Sequence, residues 1–386
     1  MKLHQMNRNY KHKIEESFLL EFKKKPLVVF SPGRINLIGE HTDYNNGFVF
    51  PAAIDKGIYL GIEATDSHSS KIIALDVNES YTCDINKLDR NVQSSWQNYF
   101  LGIIDDLTKK GYRFGQFNVV FSGTIDVGSG LSSSAALENA FVYGLNEVFK
   151  LGLTRKEMIF ISQAAEHNYV GVKCGIMDQF ASMFGKKDSA LFLDCKSLEY
   201  AVKPLKMDGI SILVINTNVK HQLSDSAYNK RRASCERVAK HFKVTSLRDI
   251  NFNDLWRSKQ LLHINDFEKA SYILEENKRV VAFKEAMESE DFQEMGRLLY
   301  ASHEGLRVQY EVSCAELDFL VNYGKDRPWV LGSRMMGGGF GGCTINFIKS
   351  EKVKDYGQDI SNAYLKQFGK ACSLINVKLS DGTNRF

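Results

Sequence analysis

A glycine-rich segment between a strand and a helix is the feature that most constrains how this chain folds. Residues 117–125, FNVVFSGTI, have the apolar and β-branched character of a strand. DVGSGLSSSAA at 126–136 follows and leads into a helical pattern from about Ser132 to Lys150. Glycines let the backbone approach a ligand closely, and the free N–H groups at a helix start attract negative charge. This order predicts mixed α and β structure with a phosphate site at the loop.

Two familiar nucleotide-binding motifs do not fit this loop. A P-loop requires lysine and then serine or threonine after its second glycine, where this chain has Leu131 and Ser132. A dinucleotide fingerprint has an acidic residue about 20 positions further on, where this chain has Phe149 and Lys150. A helix capped by one of the serines stays open as a purely structural interpretation.

A second glycine-rich segment, MGGGFGGC at 336–343, formally satisfies the pattern GxGxxG. Residues 344–348 after it are typical of a strand, so the helix that a dinucleotide site requires is missing. Such a backbone turns tightly or lets another group come very near. A structural turn stays open here too.

The rest of the pattern predicts an α+β protein of two domains. Further strands are predicted at 26–30, 48–54, 71–77 and 211–218, and further helices from Trp96 to Lys109 and from Thr154 onward. Thr154 and Glu157 have the spacing of a capping box. A chain of 386 residues is longer than a single hydrophobic core usually accommodates. Because no linker composition marks a boundary, we place it near residue 205, with domains at 1–205 and 206–386.

Composition and charge exclude several classes of protein. The formal charge of +4 is small for this length and the basic residues are scattered, so we expect no nucleic-acid partner. Seven dispersed cysteines without a CxxC pair indicate neither a disulfide framework nor a zinc site. No apolar run reaches membrane-spanning length, and none follows the basic N-terminus as in a secretory signal. We therefore expect a cytoplasmic protein with free thiols and no membrane partner.

Two other segments set ionisable residues in apolar surroundings. GRINLIGEHTDYNNG at 33–47 surrounds a small apolar block with four such residues, which favours a functional loop. They are Arg34, Glu40, His41 and Asp43. AEHNYVGVKCGIMDQFAS at 165–182 contains Glu166 near the end of one helix and Asp178 just before another. Taken alone, Asp178 is more typical of a helix N-cap than of a catalytic residue.

In combination and in this order, the four segments resemble the galactokinase family. The matching motifs are GRxNLIGEHTDYNxG, GxGLSSSA, CGIMDQF and GGGFGGC, and TNxxHxLxxSxYNxRR at 217–232 is similar to a further galactokinase pattern. The first motif is specific to galactokinases. The second and fourth are shared across the GHMP small-molecule kinase superfamily, which includes homoserine, mevalonate and phosphomevalonate kinases. The resemblance covers the chain from about Pro26 onward. It implies a two-domain GHMP-kinase-like α+β fold, with mixed sheets, helices and an active site in the inter-domain cleft.

The resemblance implies transfer of the γ-phosphoryl group of ATP to the 1-hydroxyl of galactose, giving galactose 1-phosphate. Groups that make directional hydrogen bonds suit sugar recognition, because a wrong epimer leaves them unpaired. The implied sugar-binding residues are Glu40, His41, Thr42, Asp43, Gly175 through its backbone, and Tyr228. We expect a monomer with galactose and ATP as its small-molecule partners.

The resemblance also implies which residues carry out the phosphoryl transfer. Asp178 would accept or orient the proton of the sugar hydroxyl, and Arg34 would keep Asp178 ionised and stabilise charge on the phosphoryl group. Ser134 and Glu166 would coordinate Mg²⁺. The implied phosphate-binding residues are Gly128, Ser129, Gly130, Leu131, Ser132, Ser133 and Ser134. The glycines at 337–342 would cover the site from the second domain. The sequence leaves open whether Trp96, Asn98 and Tyr99 line an adenine pocket or pack in the core.

The chain departs from the family pattern at two places. Asp126 and Val127 stand where a proline is usual before the phosphate loop, and Met336 stands where a threonine is usual. A carboxylate near a triphosphate is repulsive unless it points away, so these departures bear on ATP affinity. Two other functions stay open: a related 1-kinase for N-acetylgalactosamine, arabinose or a uronic acid, and a galactose-sensing regulator without turnover. The intact pair Ser134 and Ala135 disfavours the sensor.

Overall fold

The computed structural model describes residues 2–88, 95–125, 128–219 and 224–386. The strands are β1 (Leu27–Asn36), β2 (Phe48–Val49), β3 (Pro51–Ala64), β4 (Ser70–Ala74), β5 (Glu79–Cys83), β6 (Phe117–Gly123), β7 (Ser189–Asp194), β8 (Tyr200–Pro204), β9 (Ile210–Asn216), β10 (Val330–Met336), β11 (Cys343–Lys349), β12 (Ser373–Asn376) and β13 (Asn384–Arg385). The α-helices are α1 (Lys2–Phe22), α2 (Gln97–Lys109), α3 (Ser133–Phe149), α4 (Arg155–Ala165), α5 (Met177–Phe184), α6 (Ser224–His241), α7 (Phe252–Arg257), α8 (Ile264–Glu288), α9 (Phe292–Glu304), α10 (Ala315–Lys325) and α11 (Val353–Phe368).

Within the described ranges, the strands form three sheets. The largest has the order β13-β1-β3-β6-β4-β5, in which β4 and β6 run parallel and the other neighbours antiparallel. A four-stranded antiparallel sheet has the order β10-β11-β9-β12, and β2, β7 and β8 form a small third sheet. Helix α3 packs on β1 and β3, and α9 packs on β10. The predicted α+β class is confirmed.

Apolar residues of the first motif hold it between the two halves of the chain. Ile35, Leu37 and Ile38 are completely buried. They belong to a core that also contains Phe283 of α8 and Phe347 of β11. Burying a large apolar side chain contributes about 1.5–3 kcal/mol, so this block anchors the motif firmly against the C-terminal half.

The ends of the chain add to the first sheet. Strand β13 pairs with β1, with Val29 opposite Arg385, so the last residues return to the N-terminal sheet. Ile14 and Phe18 of α1 are buried against the same sheet in a cluster with Tyr59. The domain boundary near residue 205 stays a prediction. Across the described ranges, no helix is both long enough and apolar enough to cross a bilayer.

Most predicted elements lie near their observed positions, with one clear error. The Thr154 hydroxyl accepts from the Glu157 amide, and the Glu157 carboxylate accepts from the Thr154 amide, so the capping box is confirmed. The prediction of one strand over 48–54 is wrong, because the ladder is interrupted at Phe50. The Phe50 amide instead donates to the Ile38 carbonyl at 3.1 Å, which ties it to the first motif.

Candidate active site

A cavity of about 390 Å³ lies where the first motif, the phosphate loop and the second glycine segment meet. It is lined by Arg34, Glu40, His41, Asp43, Tyr99, Gly128, Gly130, Ser132, Ser133, Ser134, Glu166, Val172, Cys174, Met177, Asp178, Tyr228, Gly337 and Gly338. A larger depression of about 540 Å³ beside β9 contains none of the predicted site residues. The smaller cavity is therefore the candidate site.

Arg34 and Asp178 form a bidentate ion pair in the wall of this cavity. Arg34 Nε donates to Asp178 Oδ1 at 2.8 Å and Nη2 donates to Oδ2 at 2.7 Å. Burial disfavours the Arg34 cation, but the negative charges of Asp178 and Glu40 outweigh it and raise the Arg34 pKa. Asp178 is the second residue of α5, and Ile176 occupies the N-cap position without a side-chain bond. The capping interpretation of Asp178 is therefore wrong.

The phosphate loop turns through left-handed residues and ends at α3. Gly128 and Gly130 have φ values of 81° and 75°, and Ser132 has 61°. Ser132 precedes α3 but does not cap it, since its hydroxyl donates to Asp178 Oδ2. The capped-helix interpretation is wrong here too. The loop thus contacts the Arg34–Asp178 pair directly, and Arg34 Nη1 also donates to the Gly130 carbonyl at 2.6 Å.

Two of the predicted phosphate-binding residues do not line the cavity. Ser129 is buried and its carbonyl accepts from the Cys343 thiol at 2.8 Å. Leu131 is buried in the core beside the first motif, and its carbonyl accepts from the Arg34 amide at 3.1 Å. These residues hold the loop against its neighbours. The departures at Asp126 and Val127 lie outside the described residues.

Glu40 is buried and held by an arginine from the other half of the chain. Arg334, which is completely buried on β10, has Nη1 and Nη2 each at 3.2 Å from Glu40 Oε1. The Gly337 amide donates to the same oxygen at 2.9 Å. Because Oε1 already accepts from these donors, Oε2 is the oxygen of Glu40 suited to a ligand.

His41 is neutral in this environment. Burial lowers its pKa to about 3, and the nearby Gly338 backbone opposes this only in part. Its Nδ1 lies 2.8 Å from the Tyr44 hydroxyl. Its Nε2 is buried near the Gly338 backbone and makes no hydrogen bond of normal geometry with the described residues.

Asp43 lies beside Gly175, and the two positions depend on each other. A side chain at 175 would place its Cβ 2.0 Å from Asp43 Oδ2, so only glycine leaves room for the carboxylate. Burial, and then the charge of Asp178, raise the Asp43 pKa to about 7. Gly175 does not line the cavity, although its predecessor Cys174 does.

Thr42 and Tyr228 differ in their access to the cavity. The Thr42 hydroxyl is buried within hydrogen-bond distance of the Gly39 and Phe48 carbonyls, at 2.8 and 2.6 Å, and does not line the cavity. Tyr228 does line it, with its ring centroid 5.3 Å from that of His41. His221 and Leu223 of the same predicted motif lie outside the described residues.

Ser134 and Glu166 both line the cavity, from the first turn of α3 and from the turn that follows α4. A hydroxyl and a carboxylate are oxygen donors of the kind Mg²⁺ prefers, so the residues present fit this ion. Among the described residues, no group of three or more His, Cys, Asp or Glu side chains is arranged to hold a metal. The pair therefore suits an ion that takes further oxygens from a nucleotide.

The second glycine segment packs directly on the phosphate loop. A Cβ at Gly337 would lie 3.3 Å from the Gly130 carbonyl, and Gly337 has a φ of 87°. Gly337 and Gly338 line the cavity, while Gly339 packs on the Val312 carbonyl instead. Met336 is buried in the core and its sulfur accepts from the Asn36 amide. This departure does not line the cavity.

The three residues considered for an adenine pocket, at the start of α2, have different positions. Trp96 packs on Phe100 and Phe121 and donates to Glu79 at 2.7 Å, and it is not in the cavity wall. Asn98 is buried. Tyr99 lines the cavity and also packs against the core.

Several residues that support the site escape prediction from the sequence. Tyr272 donates to the Glu40 carbonyl at 3.1 Å, and Glu276 accepts from the Gly39 amide at 3.0 Å. Both lie on α8, one turn apart, and both are completely buried. A polar residue repeated on the buried side of a helix is a usable signal. Arg334 gave no such signal, since it lies in an ordinary strand.

Family models match most of the segments that build this site. Models described as the GHMP kinases N terminal domain and GHMP kinases C terminal match residues 98–186 and 283–364. The Methanococcus jannaschii mevalonate kinase structure has a TM-score of 0.66 over 93% of this chain and 100% of that chain, at 17% identity, which bears on the fold alone. Fold and site together define a GHMP kinase.

Within this class, the first motif and the overall sequence are more specific. The galactokinase galactose-binding signature matches residues 16–64. A galactokinase of Thermotoga petrophila is 42% identical over 359 residues, covering 93% of this chain and 100% of the relative. The structure of Lactococcus lactis galactokinase complexed with galactose has a TM-score of 0.91 at 33% identity, over 96% of this chain and 98% of that one. The chain belongs to the galactokinase family, whose members are ATP-dependent sugar kinases.

Proposed function

We propose that this chain transfers the γ-phosphoryl group of ATP to the 1-hydroxyl of D-galactose, with Mg²⁺ as the metal. The observation that carries this proposal is the Arg34–Asp178 pair, which joins the first motif to α5 beside the phosphate loop in one cavity. Phosphoryl transfer depends mainly on positioning and charge stabilisation, and this pair supplies both.

Asp178 is the group that receives or orients the proton of the 1-hydroxyl. Arg34 donates to both of its oxygens and so fixes the plane of the carboxylate. The Ser132 hydroxyl donates to Oδ2 as well, which ties the carboxylate to the phosphate loop. The proton acceptor and the phosphate-binding backbone are therefore held in a fixed relation before substrates bind.

The sugar is recognised by polar groups that line the cavity. Glu40 Oε2, His41 Nε2 and the Asp43 carboxylate are candidates from the first motif, and the Tyr228 hydroxyl is a candidate from α6. Unpaired polar groups are costly in a buried site, so a sugar with one inverted hydroxyl binds poorly. Thr42 and Gly175 support these groups without contacting the cavity.

ATP and Mg²⁺ are assigned to the other side of the cavity. Gly128, Gly130, Ser132 and Ser133 would hold the phosphates, and Ser134 with Glu166 would hold the ion. When bound, Mg²⁺ would neutralise charge on the phosphate oxygens during transfer. A cytoplasmic location is supported by the seven cysteines, none of which forms a disulfide within the described part of the chain. A monomeric state stays a prediction.

A sugar panel tests the function. With Mg-ATP, the purified protein is expected to phosphorylate D-galactose about a thousandfold more efficiently than D-glucose, the 4-epimer, judged by kcat/KM. N-acetylgalactosamine, arabinose and galacturonate belong in the same panel, because they are substrates of the alternative kinases. Comparable use of glucose, or better use of another sugar, would contradict the assignment. Tight galactose binding without turnover would indicate a sensor instead.

A further inference from the structure

His41 is the first member of a largely buried hydrogen-bonded chain that continues into the other half of the protein. His41 Nδ1 lies 2.8 Å from the Tyr44 hydroxyl, which lies 2.7 Å from the Tyr310 hydroxyl. The Tyr310 hydroxyl is in turn 3.3 Å from the Cys235 sulfur. We refer to these four residues as the tyrosine chain. None of its last three members lines the cavity.

The tyrosine chain is enclosed and its members are neutral. Burial raises the pKa of the Tyr44 and Tyr310 hydroxyls well above the usual value, and raises the Cys235 pKa to about 11. With His41 also neutral, each of the four groups carries one proton that can be donated. The three contacts take up three of these four protons, and leaving no hydroxyl proton unused requires all donors to point in one direction along the chain. Each direction fixes one tautomer: donors that point toward His41 leave its proton on Nε2, and donors that point away from it use a proton on Nδ1.

The same contacts fix the orientation of the His41 ring. Its centroid lies 4.9 Å from the Tyr310 ring and 5.3 Å from the Tyr228 ring. The His41 backbone has a φ of 63°, a left-handed conformation that only surrounding contacts maintain in a histidine. Ring packing and the hydrogen bond to Nδ1 together leave Nε2 in a defined place.

Helix α6 positions the far end of the tyrosine chain. Tyr228, Arg231 and Cys235 are spaced three and four residues apart and so share one face of the helix. Arg231 Nε donates to the Tyr310 carbonyl at 2.6 Å, which fixes that residue's backbone. One helix thus supplies a cavity-lining ring, an anchor for Tyr310 and the thiol that contacts the Tyr310 hydroxyl.

We propose that Tyr310 is a specificity-determining positioning residue, which acts through Tyr44 to set the tautomer and orientation of His41 toward the sugar. The proposal rests on the proposed function, because it takes His41 as a sugar-binding residue. Tyr310 itself touches no substrate. It follows that the C-terminal half controls how the first motif distinguishes sugar hydroxyls.

Three tyrosine-to-phenylalanine variants test this role. Tyr310→Phe and Tyr44→Phe are each expected to weaken galactose binding about 3- to 10-fold, the effect of one net hydrogen bond, while the ATP KM stays within about twofold. Tyr356→Phe is the matched control, since Tyr356 is a buried tyrosine whose hydroxyl makes no hydrogen bond with any described residue. It should leave galactose binding unchanged.

A variant that combines Tyr44→Phe with Tyr310→Phe tests whether the two tyrosines act through one connected chain or through two independent contacts. If Tyr310 acts through Tyr44, Tyr44→Phe combined with Tyr310→Phe is expected to be no worse than Tyr44→Phe alone. Effects that simply multiply would overturn the proposal. Thermal melting of each variant identifies any loss of folding. Cys235→Ala, which shortens the chain at its far end, offers a milder variant should Tyr310→Phe prove unstable.

Nitrogen-15 NMR of the imidazole gives a readout that does not require sugar. The wild-type His41 signals are expected to be those of a single tautomer, and Tyr310→Phe is expected to produce a mixture of tautomers. Signals from His41 that are identical in the two proteins would overturn the proposal. Because this measurement is made without galactose, it is independent of the sugar panel, so failure of the proposed function and failure of this proposal are distinguishable.

Discussion

At the scale of single residues, the Asp178 carboxylate has the most demanding position in the site. It accepts from two nitrogens of Arg34 and from the Ser132 hydroxyl, yet it remains partly exposed to the cavity. A carboxylate that only capped a helix would instead accept from backbone amides of α5. These contacts fit the catalytic role proposed for Asp178.

The first residue-scale prediction is Asp178→Asn. The amide cannot accept the sugar proton and leaves the buried Arg34 without its counter-charge. Turnover is expected to fall at least ~100-fold, the lower range for a lost general base, with galactose still bound. Stability is expected to fall by about 1–3 kcal/mol, because a buried charge loses its partner. Initial rates, galactose titration and thermal melting on one preparation measure all three.

Asp188→Asn is a suitable control, because it makes the same chemical change at an exposed residue outside the candidate site. Its left-handed backbone, with φ of 55°, is one that asparagine adopts readily. Near-normal turnover in Asp178→Asn would remove Asp178 from the mechanism.

A second residue-scale prediction concerns Asp43 and pH. Its folded pKa of about 7 lies above the ordinary 3.8, so the folded protein binds more protons than the unfolded chain between these values. Stability is therefore lost as pH rises from about 4 to 7, by at most ~4 kcal/mol from this group. Asp43→Asn removes that loss and should raise Tm relative to wild type more at pH 8 than at pH 5. An equal change in Tm at both pH values would contradict the raised pKa.

At the scale of elements, the sequence predicted the helices, strands and caps that depend on residues close together in the chain. The strand at 117–123, helix α3 and the capping box of α4 follow from periodicity and from residues within a few positions of each other. The break at Phe50 did not, because it depends on a backbone bond to Ile38 across the motif. Helix α1 also went unpredicted, although Ile14 and Phe18 have the spacing of one buried helix face.

In the candidate site, too, the residues of contiguous motifs were predicted and those that depend on long-range packing were not. Cavity-lining residues such as Glu40, His41 and Asp178 were predicted because they belong to contiguous motifs. The residues that hold them were missed. Arg334 and Glu40 are 294 positions apart, and no spacing in the sequence indicates that such residues meet. The exclusion of Thr42 and Gly175 from the cavity wall likewise depends on packing that only the folded chain has.

At the scale of the whole molecule, the C-terminal half holds the first motif in place. Arg334 Nε donates to the Leu37 carbonyl at 2.9 Å, and its Nη2 donates to the Asn36 carbonyl. Tyr272 and Glu276 contact the same motif from α8. The fixed fork of a guanidinium can satisfy several acceptors at once, which an ammonium group cannot. The position of Glu40 therefore depends on the packing of the two halves.

The whole-molecule prediction is Arg334→Lys, which keeps the charge but loses the fork. It is expected to cost about 3 kcal/mol of stability, because buried carbonyls and the Glu40 carboxylate lose donors, and to raise the galactose KM at least tenfold. Arg297→Lys is the matched control, since Arg297 pairs with Glu294 on the exposed surface of α9. Unchanged Tm and galactose KM in Arg334→Lys would mean that Arg334 does not hold the motif.

A double variant distinguishes loss of charge from loss of position. Arg334→Met leaves Glu40 as an unpaired buried charge, and adding Glu40→Gln removes that charge as well. Replacing a whole buried ion pair by neutral groups is often close to neutral in stability, so the double variant should regain much of the Tm lost in Arg334→Met. Galactose binding should stay weak, since the Glu40 carboxylate is gone. The two halves would then pack normally around a first motif that binds galactose poorly. Recovery of Tm without recovery of galactose binding would show that the Arg334–Glu40 ion pair affects fold stability and sugar recognition separately.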